Sequence, residues 1–359
     1  MSLKALPLTQ SDVRLFSGRS NPALAASMAN WLGIRLEETH FSRFSNDNLF
    51  VQLGASVRGR AVFLVQSLVP PVSDHLMELL MMIDIAKGAA AREIHAIIPY
   101  FSYARSDKKD APRISITARL VADLLRTAGT THVMTMTLHS PQVHGFFPVP
   151  TDPLTARGLF ADYFRTRAFD AEDTVVVAPD VGSAKSALRF AEMLGLGAAV
   201  ANKTRLSDSK VQIGGLIGRQ VSGYRRALIH DDEIATGGTI EELTRLLLDN
   251  GLEEIYLICT HGLFLHGALD RLCDIPQICE IVTTDTVPPP VGWPQLQVRS
   301  VAELFAEAIA RIHAGRSISK LFDGVDPTHG PPQPRLPFGV VSPTLPTLRA
   351  STPPRAAAS

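Results

Sequence analysis

Two adjacent acids, Asp231 and Asp232, stand at the end of an apolar run, Ala227 to Ile229, and Thr236-Gly237-Gly238-Thr239 follows shortly after. Beyond it, Ile240 to Asn250 has helical spacing, with Gly251 just past its end. The apolar run reads as a buried strand. A strand, a glycine loop and a helix N-terminus together form a phosphate cradle, because the first backbone N–H groups of a helix have no partner within it. Ionised carboxylates only accept hydrogen bonds, so the acid pair suits the vicinal hydroxyls of a sugar. Acids and cradle in register point to a ribose 5-phosphate site. A Gly-Gly pair alone more often marks a tight turn between strand and helix with solvated acids; the acids, threonines and helix start in register reverse that balance. Ala235 falls just before the cradle, where a hydrogen-bonding acid would be useful.

Further chemistry is spread along the chain. Tyr100-Phe-Ser-Tyr-Ala-Arg105-Ser106-Asp-Lys108-Lys109 follows the apolar run Ile94–Ile98. Basic and aromatic groups at the carboxyl end of a strand suit a polyphosphate and a flat base, and equally a solvated charged loop. His139 and Asp180 each end a strand-like run and could hold Mg2+ directly or indirectly, although histidine is an uncommon partner for so hard an ion. Lone histidines are more often structural. Lys203 and Arg205 lie in a polar segment after Ala198–Ala201. On an extended loop, two cations separated by one residue project to the same side, where they could close over a phosphate chain; the plainer reading is two solvated surface cations.

The elements that must position these residues alternate between strand and helix. Strand-like runs occur at Ala61–Gln66, Ile94–Ile98, Val133–Met136, Thr174–Ala178, Ala227–Ile229, Glu254–Cys259 and Glu280–Thr284. Helical patterns lie between them, such as Asp74–Ala89 with Asp74 as N-cap, and Ser115–Ala128 followed by Gly129. This order predicts an α/β fold of mainly parallel sheets covered by helices. The 359 residues divide naturally into units at 1–150 and 151–300, followed by a helix within 301–324 whose packing place cannot be read. Residues 325–359 are rich in proline and predict a disordered tail.

Bulk properties exclude several classes. Lys+Arg and Asp+Glu are both 35, so no net charge argues for a nucleic-acid or anionic-membrane partner. No apolar run approaches the roughly 18 residues of a membrane span, since Glu78 and Asp84 interrupt the longest candidate. The first residues lack a signal-peptide core, which makes a cytoplasmic location the expectation. Cys259, Cys273 and Cys279 show no metal or disulfide spacing.

As a set, these segments resemble the ribose-phosphate pyrophosphokinase (phosphoribosyl pyrophosphate synthetase) family. The resemblance begins at Arg14-Leu-Phe-Ser-Gly18-Arg-Ser-Asn21-Pro22 and passes through Ser56-Val-Arg-Gly59, Leu76–Leu80, Ile98–Arg105, Thr260–Phe264 and Thr283–Thr286. It ends around Ala306–His313 and covers nearly everything except the proline-rich tail. It implies two type I phosphoribosyltransferase-like domains. It also implies transfer of the β,γ-diphosphoryl group of ATP to the 1-hydroxyl of ribose 5-phosphate, releasing AMP. On that mapping Lys203 and Arg205 stabilise the transferring group, Asp231 and Asp232 hold the ribose hydroxyls, and Ala235–Thr239 bind the 5-phosphate. Arg105 and Ser106 contact ATP, Phe44, Asn46 and Asn48 form the adenine loop, and His139 and Asp180 associate with Mg2+. Homo-oligomers, dimers assembled into hexamers, are implied as well, with the adenine loop completing a neighbour's site.

Departures from the family pattern cluster at acids. Ala235, Thr137, Pro148 and Asn48 each stand where an acidic residue is usual. Ser106 replaces glutamine, Asp47 and Ser183 replace glycine, and Thr204 replaces a basic residue. Retention of the transfer-centre residues favours an active diphosphotransferase. The alternatives are a regulatory paralogue that binds nucleotide or a synthetase, and a diphosphotransferase for another sugar phosphate.

Overall fold

The computed structural model describes residues 12–322 except 168, 206–210 and 219–220, with the side chains of 202–205, 211–218 and 320 also outside the description. The expected proline-rich tail lies outside it too.

Strands such as Ala61–Val65, His132–Met136 and Thr174–Ala178 are buried at every residue. Runs of that kind belong to parallel sheets covered on both faces. The first unit contains β1 (Val13–Ser17), α1 (Pro22–Leu32), β2 (Leu36–Glu37), β3 (Thr39–Arg43), β4 (Leu49–Leu53), β5 (Ala61–Val65) and α2 (Val72–Gly88). It continues through β6 (Glu93–Ile98), α3 (Thr117–Ala128), β7 (His132–Met136) and β8 (Thr151–Leu154). The sheet runs β2-β1-β5-β6-β7-β8, all parallel, while β3 and β4 form a separate antiparallel hairpin. Because β8 pairs with β7, the first sheet continues to Leu154, past the division expected at 150.

The second unit contains α4 (Arg157–Arg165), β9 (Thr174–Ala178), α5 (Ala184–Leu194), β10 (Gly197–Arg205), β11 (Val211–Gly218) and β12 (Arg226–Ile234). After it come α6 (Gly238–Asp249), β13 (Glu254–Gly262), α7 (Ala268–Cys273), β14 (Ile278–Thr284), β15 (Leu296–Arg299) and α8 (Ala302–His313). Its sheet runs β11-β10-β9-β12-β13-β14-β15, with only the β10–β11 pair antiparallel among the described strands.

Helix α8, whose place the sequence left open, packs on α1. Phe305 and Ile309 join Leu24 and Met28 in a core that also holds Phe160, Phe164 and Phe190 of α4 and α5. One apolar cluster thus spans both units. The outer faces have their own cores, under α2 and α3 on one side and under α6 and α7 on the other.

Three local expectations are corrected. Asp74 is not the N-cap of α2: the helix starts earlier, Pro71 is the cap, and Asp74 sits in the first turn paired with Arg43. The segment carrying Lys203 and Arg205 is not a loop but the end of β10, paired antiparallel with β11 beyond a register shift between Ala201 and Lys203. The acids at 231 and 232 likewise lie inside β12, which runs on to Ile234.

Candidate functional site

In parallel sheets, ligands bind beyond the carboxyl ends of the strands. Here those ends from both sheets face one cavity of about 790 Å3. The end of β7 supplies Thr137 and His139, the end of β9 supplies Asp180, and β12 supplies Asp231 and Asp232. The turn Ala235–Thr239 completes the wall.

The turn has the geometry of an anion cradle. Gly237 is the N-cap of α6 with φ of 78°, a left-handed conformation. A Cβ on Gly237 would sit 3.3 Å from the Ala268 Cβ, a tight contact that adds to the preference of the left-handed angle for glycine. The amides of the first turn of α6 have no acceptor within the helix and carry the positive end of its dipole.

Acids and bases from the two units interlock across the cavity. The His139 Nδ1 lies 2.7 Å from the Asp232 Oδ2. That hydrogen bond raises the imidazole's proton affinity, against the opposing effect of burial. Burial works to raise the Asp232 pKa as well, but the bond to His139 outweighs it and holds the carboxyl below its ordinary value. Asp231 goes the other way: burial first, then the neighbouring Asp232 charge, push it well above the usual carboxylate range. Sugar hydroxyls donating hydrogen bonds, or a cation, would relieve that pair.

Glu233, to which the sequence reading assigns no role, is central to the site. The Tyr100 hydroxyl donates to its Oε2 at 3.2 Å, and Arg105 pairs with its Oε1 at 3.1 Å. Burial nonetheless raises its pKa. Period-two alternation along β12 would have placed residues 231 and 233 on one face, had the strand been read to its true end. Among the described residues, the potential metal-donor atoms that lie together, within 4.8 Å of one another, belong to His139, Asp232 and Glu233. Asp180, the expected partner of His139, is outside that group but lines the same cavity; its Oδ1 accepts from the Ser183 amide at 3.0 Å.

Other expected residues are placed less centrally. Arg105 lines the cavity, whereas Ser106 does not; its hydroxyl lies 3.3 Å from both the Ser115 carbonyl and Thr117 Oγ1. Phe44, Asn46 and Asn48 sit at the tip of the β3–β4 hairpin, and none lines this chain's cavity. Phe44 is 58% exposed there. Asp47 has φ of 68° and is held by Arg43, which donates to its carbonyl oxygen at 3.0 Å, so an aspartate fills a left-handed position where glycine is usual. The side chains of Lys203 and Arg205 lie outside the described residues.

Two threonines and a histidine that the sequence did not assign brace the cavity floor. The Thr260 hydroxyl donates to the Thr137 Oγ1 at 3.1 Å. His261 Nε2 is 3.1 Å from the Met136 and Thr137 carbonyl oxygens, and its Nδ1 is 2.8 Å from the Thr286 hydroxyl. Burial pushes the His261 pKa down to about 4, so it stays neutral, donating from Nε2 to the carbonyls. Thr137 thereby keeps a φ of 39°, strained for a β-branched residue.

Paired α/β units whose strand ends meet at one cavity, with a glycine turn at a helix N-terminus and an adjacent acid pair on its wall, define a phosphoribosyltransferase-like fold. The chain belongs, more narrowly, to the ribose-phosphate pyrophosphokinase family. The family model for the N-terminal domain of ribose phosphate pyrophosphokinase matches residues 13–129, and that for the phosphoribosyl synthetase-associated domain matches residues 209–323. A ribose-phosphate pyrophosphokinase of Deinococcus radiodurans is 46% identical over 318 residues, covering 87% of this chain and 98% of its own length. That of Caldanaerobacter subterraneus is 45% identical over 314 residues, with the same two coverages, 87% and 98%. The crystal structure of phosphoribosylpyrophosphate synthetase from Mycobacterium smegmatis superposes with a TM-score of 0.78 at 37% identity, covering 85% of this chain and 99% of that one. The resemblance seen in the sequence and the α/β fold it implied are both borne out.

Proposed function

We propose that this chain transfers the β,γ-diphosphoryl group of ATP to the 1-hydroxyl of ribose 5-phosphate, giving phosphoribosyl pyrophosphate and AMP. The sugar oxygen forms a bond to the β-phosphorus, the bond from that phosphorus to the α,β-bridging oxygen breaks, and the hydroxyl proton is lost. The observation that carries the reading is the single cavity in which the phosphate cradle of α6 and the Asp231–Asp232 pair converge with Arg105 and His139 from the other unit.

Within it, Thr236–Thr239 take the 5-phosphate and the two acids accept from the ribose hydroxyls. Arg105 faces the polyphosphate. Lys203 and Arg205, at the end of β10, neutralise the group in flight. The donor set fits Mg2+: Asp180, Asp232 and His139 border one cavity, and Asp231 beside them is held above its ordinary range by burial and by the Asp232 charge, which a cation would relieve. Bound there, Mg2+ would supply charge neutralisation to the phosphate chain. Phe44, Asn46 and Asn48, remote from their own cavity, serve the adenine site of a second copy in a homo-oligomer.

Purified protein given ATP, Mg2+ and ribose 5-phosphate should release AMP and phosphoribosyl pyrophosphate in equal amounts. No AMP, or AMP only with a different phosphorylated sugar, would overturn the assignment.

A further inference from the structure

The backbone carbonyls of residues 234–237, which lead into the 5-phosphate turn, are each engaged by a donor. The Ile234 carbonyl accepts from the amides of Leu263 and Phe264 at 3.0 and 3.1 Å, and that of Ala235 accepts from Leu265 at 2.8 Å. The Gly237 carbonyl accepts from the Glu241 amide at 2.9 Å. The remaining one, Thr236, is held by a side chain: Arg271 Nη2 donates to it at 2.6 Å.

The same guanidinium makes two more contacts. Its Nη1 donates to the His266 carbonyl at 2.7 Å, and its Nε to Glu241 Oε1 at 2.9 Å. His266 belongs to a strained turn in which Phe264, His266 and Gly267 have φ values of 45°, 55° and 69°. Two of these are bulky non-glycine residues, and such conformations persist only where surrounding contacts fix them. Arg271 therefore ties three things together: the phosphate turn, the strained turn beside it and the first turn of α6. Only a planar fork with several donors can do so at once; an ammonium cannot reproduce the geometry.

We infer that Arg271 is a positioning residue for the sugar phosphate, fixing the Thr236 peptide so that the cradle is preformed. The inference rests on the ribose 5-phosphate reading of that cradle. A stabilising role is a poor account of it, since the Arg271 side chain is 44% exposed and exposed ion pairs add little to stability. Misplacing a binding loop by a fraction of an ångström, in contrast, is felt strongly in affinity and rate.

The test is calorimetric titration of full-length wild type, Arg271→Lys and Glu241→Gln with ribose 5-phosphate and, separately, with ADP, alongside thermal melts. Wild type should bind ribose 5-phosphate. Arg271→Lys should weaken that binding by about tenfold while ADP affinity and melting temperature hold. Glu241→Gln, which leaves both carbonyl contacts intact, should bind nearly as wild type. If wild type does not bind ribose 5-phosphate, the reading of the cradle fails. If wild type binds and Arg271→Lys binds equally well, or if both ligands weaken together, the role assigned to Arg271 fails.

Discussion

Asp231 and Asp232 are adjacent in sequence and yet shift in opposite directions, because Asp232 reaches His139 on the other unit. His139 holds Asp232 charged, while burial and that same charge push Asp231 up. The pair was legible in the sequence, being local; its asymmetry was not, since it depends on a contact between residues 93 positions apart. Glu233 was overlooked for the same reason: its partners Tyr100 and Arg105 arrive from the first unit. Ala235 is the departure that this arrangement makes most testable. Its carbonyl is fixed by Leu265 and the residue lines the cavity beside the cradle, so a carboxylate there would project among ligand-seeking groups. Ala235→Asp should lower the KM for ribose 5-phosphate about fivefold, the worth of one ordinary hydrogen bond. An unchanged KM in steady-state assays would mean that the pocket already compensates for the missing acid.

The elements themselves were well marked in their buried middles and poorly marked at their functional ends. Fully buried parallel strands appear as apolar runs, so β12 was cut short at Ile229 where its polar, cavity-facing half begins. The β10–β11 hairpin was missed because its pairing is antiparallel and its residues around Lys203 are polar. Helix α6 was found nearly whole, since Gly237, the apolar spacing and Gly251 punctuate it from both sides. Its N-terminus also gives a sharp prediction. Gly237→Ala must place a Cβ against Ala268 in a left-handed conformation that costs roughly 1–2 kcal/mol for an L-residue. The expected result is a KM for ribose 5-phosphate raised about tenfold with the KM for ATP nearly unchanged. Equal losses for both substrates would show that the turn does not serve the sugar phosphate alone.

At the scale of the whole molecule, α8 and α1 join the two units through a shared core, a union that composition and periodicity could not foretell because α8 carries no mark of its partner. Among the described residues no helix is long and apolar enough to cross a membrane. Burial also fixes how the molecule answers to acid. His230, packed on Phe190, is pushed down to about 3, and His95 and His261 to about 4. Each stays neutral in the fold but binds a proton on unfolding below the ordinary value of about 6.5. Stability is therefore full above that value and drains as pH falls toward the folded values, by about 1.4 kcal/mol per pH unit for each histidine. Among the described residues the Nδ1 of His230 has no hydrogen-bond partner, so His230→Phe should keep the packing and remove one share of that slope. Urea unfolding between about pH 4.5 and 6 reads it directly, and an unaltered slope would refute the neutral, buried assignment. The central claim, transfer of a diphosphoryl group into the cradle-held sugar, has its most direct test in ATP labelled at the β-phosphorus. With ribose 5-phosphate and Mg2+, the label should pass into the sugar product and leave unlabelled AMP. Label retained in ADP, with only the γ-phosphoryl group on the sugar, would contradict the account.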